Sequence, residues 1–530
     1  MKSTAAQDEL LTFLRSPASY SEKPEAVEIR QTHISIVAMT PSFVFKIKKP
    51  LDLGFLDFST LEKRREACEA EVRLNQRLCR DVYLGVVPIS RKDGALHFGE
   101  EGEAIDYAVK MRRLPEEGFL EQRLTRNGVT SADLDRVADK LSGFYRSQQS
   151  STEIAEWGRG AKLRISTDEN FSQTEPFVGT LLSRAAFEAI RYFADLFYDR
   201  HADLFDRRRK DGRILDCHGD LRCAHIHFSQ GEINIFDCIE FNERLRYLDV
   251  ANDVAFLAMD LDFRGRPDLA TAFTRRMAAT LDDAGLLEVI DFYKCYRAYV
   301  RGKIFSIKSS EPEVPAAERE TSREKAGRFF RLALSYAIAG SEPMVLAVTG
   351  RVGVGKSSVA RMIGQALGAE VFSSDRTRKE LAGIKPHVRV HAAARAELYR
   401  EAMTGRTYEA VIIRAIEAAR VHGSAIIDAT FGQPKQRALL RERLAAAGIQ
   451  ERFLVLDASD NEITERLRHR EQSKTEVSDA RLEDFEMLSA AYDRPDGGEH
   501  ETRAIIASSS SVEATATETL KALIRLNLCD

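Results

Sequence analysis

"DCHGDLRCAHIHF", residues 216–228, packs two cysteines and three histidines into thirteen positions. Two chemistries compete for it. As a metal site it has the spacing C-x5-C-x-H-x-H, with Cys238 nearby. Structural zinc sites use paired C-x2–4-C knuckles, and no second knuckle is present here. If "CAHIHF" is a strand, His225 and His227 share a face, which permits a metal and also fits ordinary strand alternation. As a phosphotransfer loop, the stretch is centred on Asp220 in "HGD". Asp237 follows seventeen residues later in "INIFDCIEF". A catalytic-loop Asp followed by a metal-binding Asp after a short hairpin is the arrangement of kinases.

The phosphotransfer reading requires a lysine on an upstream strand and a glutamate on a following helix. "SFVFKIKKP" (42–50) alternates as a strand and supplies Lys46, with Lys48 on the same face. "FSTLEKRREACEAEVRLNQRLC" (58–79) reads as a helix, with Ser59 as N-cap and Glu62 three later. Glu71 shares a face with Leu74 and Leu78, and Glu69 is its rival. Each feature alone has an ordinary structural explanation. Four of them in this order point to a kinase.

Residues 25–335 resemble the aminoglycoside phosphotransferase family through "FKIKKPLDLGFLDFSTLEKR" and "CHGDLRCAH". The resemblance implies an α+β, protein-kinase-like, two-lobed domain that binds ATP between its lobes and admits GTP. It implies Mg²⁺ and a small-molecule hydroxyl as acceptor. It makes Asp220 the catalytic Asp, Asp237 the metal Asp and Lys46 the phosphate lysine, with Asp249 and Asp253 bracing the catalytic loop. Two features depart from the pattern. His225 stands where the family places a metal-binding Asn, and imidazole suits softer metals than Mg²⁺. The nucleotide-covering segment "SIVAMTPSFV" has no glycine, so its backbone N–H groups are less able to approach phosphates.

The remaining texture divides the chain. Its 530 residues exceed what one hydrophobic core serves. The 44% hydrophobic and 30% charged content describe a globular protein, and a net charge of −4 does not favour a large nucleic-acid footprint, while leaving room for a local basic groove. No apolar run approaches the roughly 18 residues of a membrane span. The opening "MKSTAAQDELLTFLRS" lacks a secretory apolar region. Seven scattered cysteines argue for a reducing cytoplasm rather than a disulfide framework. "HISIVAMT", "DVYLGVVPIS" and "EAIDYAVKMRRLP" read as strands, and 130–210 as mostly helical. The polar, proline-bearing stretch 309–324 reads as an exposed loop. After "AIAGSEP" (337–343) strands and helices alternate to the end, as a parallel sheet requires. The boundary is placed near 341, giving domains 1–340 and 341–530.

In the second domain, "GRVGVGKS" satisfies G-x-x-x-x-G-K-[ST] with Gly350, Gly355, Lys356 and Ser357. Gly353 and Ser358 complete the loop. The strand Val345–Val348 precedes it and a helix follows. The glycines turn backbone N–H groups toward phosphates, Lys356 reaches the β- and γ-phosphates, and Ser357 ligates Mg²⁺. Asp428 ends the apolar strand "SAIIDATF", where a carboxylate can hold the metal. Asp375 in "AEVFSSDRTRKEL" is placed to take a proton from a hydroxyl, or simply to cap a helix. Arg466, Arg468 and Arg470 in "ITERLRHREQS" read either as lid arginines or as a solvated helix face. Residues 343–530 resemble the small AAA-type P-loop kinases near polynucleotide kinase, gluconate kinase and zeta-type toxins. This resemblance implies an α/β P-loop NTPase domain with a parallel sheet, γ-phosphate transfer to a hydroxyl, Asp375 as base, and Arg376 or Arg378 near the acceptor.

The expectation is a cytoplasmic, bifunctional ATP-dependent phosphotransferase with an unidentified acceptor for each half. A nucleic-acid 5′ end is a candidate for the P-loop half, though not the favoured one. The competing expectation is a nucleotide-binding regulator with a degenerate first kinase domain. Oligomeric state is not legible.

Overall fold

The computed structural model describes residues 5–528 apart from 55, 230, 389, 391, 472–480, 496–502 and 509–510. The chain forms two compact units, Met1–Arg164 with Ala202–Tyr293, and Ile165–His201 with Lys294–Asp530.

The first unit begins with an antiparallel sheet. Its strands are β1 (Glu28–Gln31), β2 (Ser35–Met39), β3 (Phe43–Lys48), β4 (Tyr83–Lys92), β5 (Ala95–Phe98) and β6 (Glu103–Arg112), in the order β1-β2-β3-β6-β4-β5. β3 lies inside the sheet, with Lys46 opposite Val37 on β2 and Val109 on β6. The helix Leu61–Asn75 buries Arg64, Cys68, Glu71 and Asn75, a 4-3-4 spacing that lines up one face. That face is polar because it serves ion pairs: Arg64 Nε donates to Asp106 Oδ1 of β6 at 2.9 Å. The helix is capped by Thr60, whose hydroxyl accepts from Lys63 N, and not by Ser59. Ser59 is occupied by Asp57, which accepts from both its backbone N and its hydroxyl.

A helical lobe completes this unit, with the helices Ser131–Ser147, Val250–Phe263 and Pro267–Thr280. All residues from Val250 to Leu261 are buried, so this helix runs through the lobe's interior. Two small ribbons project the functional loops. β7 (Ile214–Asp216) pairs with β10 (Tyr247–Asp249), and β8 (Ile226–Ser229) with β9 (Glu232–Ile235). The segment 217–225 is thereby held between β7 and β8, and 236–246 between β9 and β10.

The second unit contains a five-stranded sheet of β11 (Met344–Thr349), β12 (Glu370–Ser373), β13 (Ser424–Asp428), β14 (Gln450–Asp457) and β15 (Arg503–Ala507). The order is β12-β13-β11-β14-β15, and every neighbouring pair is parallel. Strands buried on both faces read as continuous apolar runs, as "MVLAV" and "AII" do here. Val345, Ala347, Ala425, Ile427 and Phe453 form its core with Val411, Ile412 and Ala415 of the helix Glu401–His422. Residues 309–324 are not a loop. The helices Gly285–Ser310 and Ala316–Ala339 leave only 311–315 between them. Charge there marks exposed helical faces, and Pro315 sits at an N-cap, where a missing N–H is harmless.

Candidate active sites

In the first unit the loop after β7 is shaped by one buried carboxylate. Asp253 Oδ2 accepts from His218 N at 2.8 Å and Oδ1 from Gly219 N at 2.9 Å. Tyr145 Oη donates to the same carboxylate at 2.9 Å. Asp249 acts at a distance from the loop: it accepts two bonds from Arg208, at 2.6 and 2.7 Å. Gly219 has φ +85°, and a Cβ there would stand 2.7 Å from Leu245 O, so only glycine allows this turn. Asp220 is presented beyond it. Arg222 Nε and Nη2 donate to its two oxygens at 2.7 and 2.8 Å.

Asp237 follows β9 in the left-handed region, φ 63°, a costly conformation for a residue with a side chain. It is held there: Cys238 N donates to Asn75 Oδ1 at 2.9 Å, and Lys46 Nζ to Asp237 Oδ1 at 2.8 Å. Lys46 Nζ also donates to Glu71 Oε1 at 2.8 Å. Glu69 lies on the exposed side, paired with Arg65. Behind this pair sits a second one. Lys48, 1% exposed, donates to Glu71 Oε2 and to Glu240 Oε1. Burial works against charge on both lysines, yet Asp237, Glu71 and Glu240 hold the Lys46 ammonium charged, and Glu240 and Glu71 do so for Lys48. Burial opposes ionisation of Asp237 too, but Lys46 keeps its carboxyl well below the usual range.

His225 closes the arrangement. "CAHIHF" is not one strand: Cys223–His225 form a single helical turn and β8 starts at Ile226. His225 and His227 therefore do not share a strand face. His227 Nε2 donates to Pro115 O at 2.8 Å. His225 Nδ1 faces Asp220 O at 2.8 Å and so carries the proton, while Nε2 accepts from Arg222 Nη2 at 2.9 Å. Burial, then Arg222, push the imidazole down to about 4, so it is neutral at physiological pH. Its nitrogens lie 3.5 Å from Asp220 Oδ2 and 3.4 Å from Asp237 Oδ2. Asp220, His225 and Asp237 are the group among the described residues that offers three metal-binding atoms within 4.8 Å of one another. Cys217, Cys223 and Cys238 are buried thiols outside it, raised by desolvation, which disfavours the zinc reading. The Asp237 carboxylate and the neutral imidazole, with Asp220 beside them tied to Arg222, fit a divalent cation.

Three residues of this site were not singled out in the sequence. Arg222 had a signal, lying two positions after the Asp. Glu240 and the structural Asp260, which accepts from Cys223 N at 2.9 Å, had none. The β2–β3 connection is a tight turn over Thr40–Ser42. It is closed by Thr40 N donating to Phe43 O and Phe43 N to Thr40 Oγ1.

In the second unit the loop 350–355 leaves β11 and enters the helix Lys356–Leu367. Gly350, Gly353 and Gly355 all have positive φ. A Cβ on Gly350 would lie 2.4 Å from Leu456 O, so the loop can only hug β14 with glycine there. Lys356 Nζ donates to Gly350 O and Arg351 O at 3.0 and 2.9 Å, folded over the loop. Ser357 and Ser358 are exposed at the helix start. Asp428 is registered against Val348 of β11 and Ser373 of β12. The sheet therefore brings it beside both the P-loop strand and the strand that leads to Asp375. Asp375 accepts from Tyr399 Oη at 3.4 Å. Burial pushes the Tyr408 hydroxyl up to about 12, and Arg378, Asp375 and Asp428 act on it electrostatically. Arg378 is spent on Leu398 O and Thr404 Oγ1, beneath the Tyr399 ring, while Arg376 is exposed. Arg466 Nη1 donates to Val354 O and Ser508 Oγ, bracing the P-loop itself. Arg468 is exposed, and the Arg470 side chain lies outside the described residues.

A strand lysine paired to a helix glutamate, with the Asp220 loop and Asp237 on either side of a hairpin, is the arrangement of a protein-kinase-like fold in the first unit. The second unit is a P-loop kinase-like α/β domain, and residues 345–495 match the family described as AAA domain. The chain belongs to one family with the Uncharacterized protein Rv2004c of Mycobacterium tuberculosis, to which it is 32% identical over 420 residues, 79% of this chain and 81% of the relative. Among solved structures it is similar to a choline/ethanolamine kinase family protein from Mesorhizobium loti (12% identity, 62% of this chain and 98% of that one, TM-score 0.34). It is also similar to a gluconokinase from Sinorhizobium meliloti (19% identity, 35% of this chain and 95% of that one, TM-score 0.27). No described helix is long and apolar enough to cross a membrane.

Proposed function

We propose that each unit transfers the γ-phosphoryl group of ATP to a hydroxyl of its own acceptor. The observation that carries this is the convergence of Lys46, Glu71, Asp237, and Asp220 with His225, from four separate segments of the first unit. In the first unit the acceptor oxygen bonds to the γ-phosphorus, the bond from that phosphorus to the β–γ bridging oxygen breaks, and ADP departs. Asp220 orients the hydroxyl and takes its proton. Arg222 holds Asp220 in one rotamer and places positive charge where the transferring group gathers negative charge. Lys46, fixed by Glu71, approaches the phosphates. Asp237 and His225 would hold a divalent ion, which when bound neutralises the phosphate charge. In the second unit the P-loop amides and Lys356 cradle the phosphates, Ser357 and Asp428 would hold Mg²⁺, and Asp375 receives the proton.

A second reading, nucleotide sensing without turnover by the first unit, is favoured by the tight glycine-free turn at Thr40–Ser42. Phosphate-transfer products are screened by mass spectrometry with a metabolite library, using the intact chain and its Asp220→Ala and Lys356→Ala variants. Each variant is expected to lose one class of product. Products unaffected by either change would refute the two-enzyme reading. ADP binding lost in a Lys46→Ala, Lys356→Ala double variant, without any product from the intact chain, selects the sensor.

A further inference from the structure

We propose that the first unit's cation site selects a divalent first-row transition-metal ion over Mg²⁺, through direct ligation by His225 Nε2. The inference rests on the phosphotransferase reading of that unit and assigns the ion it works with.

The ring is already set as a ligand. Its Nδ1 proton is committed to Asp220 O at 2.8 Å, which leaves the lone pair on Nε2. That lone pair faces a cation, since Arg222 Nη2 donates to it at 2.9 Å. Nε2 also lies 3.4 Å from Asp237 Oδ2, so one ion can touch both. The main chain at His225 is fixed, with His225 N donating to Arg222 O at 2.9 Å and Phe236 N to His225 O at 3.0 Å, and the ring, buried, has the Phe236 ring 5.9 Å away. Asp220 is kept out of the coordination by its two bonds to Arg222. The protein ligands are thus one imidazole nitrogen and one carboxylate, and nucleotide phosphates and water supply the rest.

Chemistry decides the ion. Mg²⁺ takes oxygen ligands and dehydrates reluctantly, whereas imidazole favours first-row transition ions. An asparagine at position 225 would present an oxygen and suit Mg²⁺. A nitrogen fixed in that place penalises Mg²⁺ and rewards its transition-metal competitors. Arg222 tunes the threshold: an ion must displace its single bond to Nε2, while its bonds to Asp220 hold the guanidinium nearby.

The test uses the full chain carrying Lys356→Ala, which weakens nucleotide binding by the second unit, with ADP and Mn²⁺. Bound Mn²⁺ is followed by electron paramagnetic resonance, and Mg²⁺ is titrated against it. Pulsed measurements are expected to show nitrogen coupling from a directly bound imidazole that changes on ¹⁵N-histidine labelling. Adding His225→Asn is expected to abolish that coupling and to lower the preference for Mn²⁺ over Mg²⁺ by at least about 10-fold, since losing even a partner of a metal ligand costs about 10–100-fold in affinity. If the variant does not fold, the labelling experiment on the His225 protein decides alone. Mn²⁺ bound without histidine coupling, or a preference unchanged in a folded His225→Asn protein, overturns the assignment and leaves the phosphotransferase reading standing. If the first unit binds neither ADP nor Mn²⁺, that underlying reading falls, and the assignment with it.

Discussion

Lys48→Met keeps an unbranched side chain, one heavy atom shorter, and deletes its charge at a buried point of the first site. Lys48 is 1% exposed and lies between Glu71, 0% exposed, and Glu240. After the substitution Glu71 keeps Lys46 at 2.8 Å, but Glu240 loses the lysine that compensates it. Breaking a buried ion pair from one side destabilises by about 3–5 kcal/mol, because a carboxylate is left uncompensated in the interior. At roughly 2–4 °C per kcal/mol for a domain of this size, the melting temperature should fall by about 6–20 °C. Lys46→Met provides the control. It leaves Glu71 paired with Lys48, and Asp237, with 41% of its side chain exposed, can turn to water. That loss should stay near 1–2 kcal/mol, while phosphoryl transfer by the first unit falls by about 100-fold or more. Calorimetry of the full chain measures both variants, and hydrogen exchange over residues 61–75 locates the loss. Adding Glu240→Gln to Lys48→Met should recover part of the stability by removing the stranded charge. If Lys48→Met melts within about 2 °C of Lys46→Met, the reasoning on buried charge is refuted.

Further outcomes follow from the loop and the thiols. Asp253→Asn turns one acceptor toward the donors His218 N and Gly219 N into an N–H group. It should cost about 2–3 kcal/mol in urea denaturation and weaken first-unit turnover by displacing Asp220. Gly219→Ala meets Leu245 O at 2.7 Å with φ +85°, and should cost at least about 1–2 kcal/mol, read as a lower melting temperature. Burial pushes the thiols of Cys68, Cys79 and Cys238 up to about 12. Thiolate forms only above the thiol's pKa, so at pH 8 about one molecule in ten thousand is reactive at each position. Alkylation mapped by mass spectrometry should leave these three unmodified in the native protein and modify them in urea. Labelling of Cys238 under native conditions would mean that the loop after Asp237 opens.

How far the site was legible follows from the range of each signal. Lys46 and Lys48 were readable together because strand side chains repeat every two residues. Glu71 was separable from Glu69 by helical periodicity, and the structure pairs Glu71 with both lysines. The P-loop glycines were legible because backbone conformation constrains residue type locally. Ser59 has the spacing of a cap, but Asp57, two residues earlier, takes its hydroxyl and Thr60 caps the helix. The stretch 309–324 was misread because charge and proline signal exposure, and an exposed helix satisfies that as well as a loop does.

Periodicity and local backbone geometry are enough to place most of the elements, the P-loop motif and the order of Lys46, Glu71, Asp220 and Asp237 along the chain. Only the tertiary structure decided what the histidines of "DCHGDLRCAHIHF" do. His218 Nε2 meets Phe236 O, His227 meets Pro115 O, and His225 turns its Nε2, which accepts from Arg222, toward Asp237. Only the fold, too, brought in Glu240, 192 residues from Lys48, and set Arg222 on both Asp220 and His225. The reason is physical: a hydrogen bond commits a particular nitrogen or oxygen, and which atom is committed depends on groups that the chain brings together only when it closes.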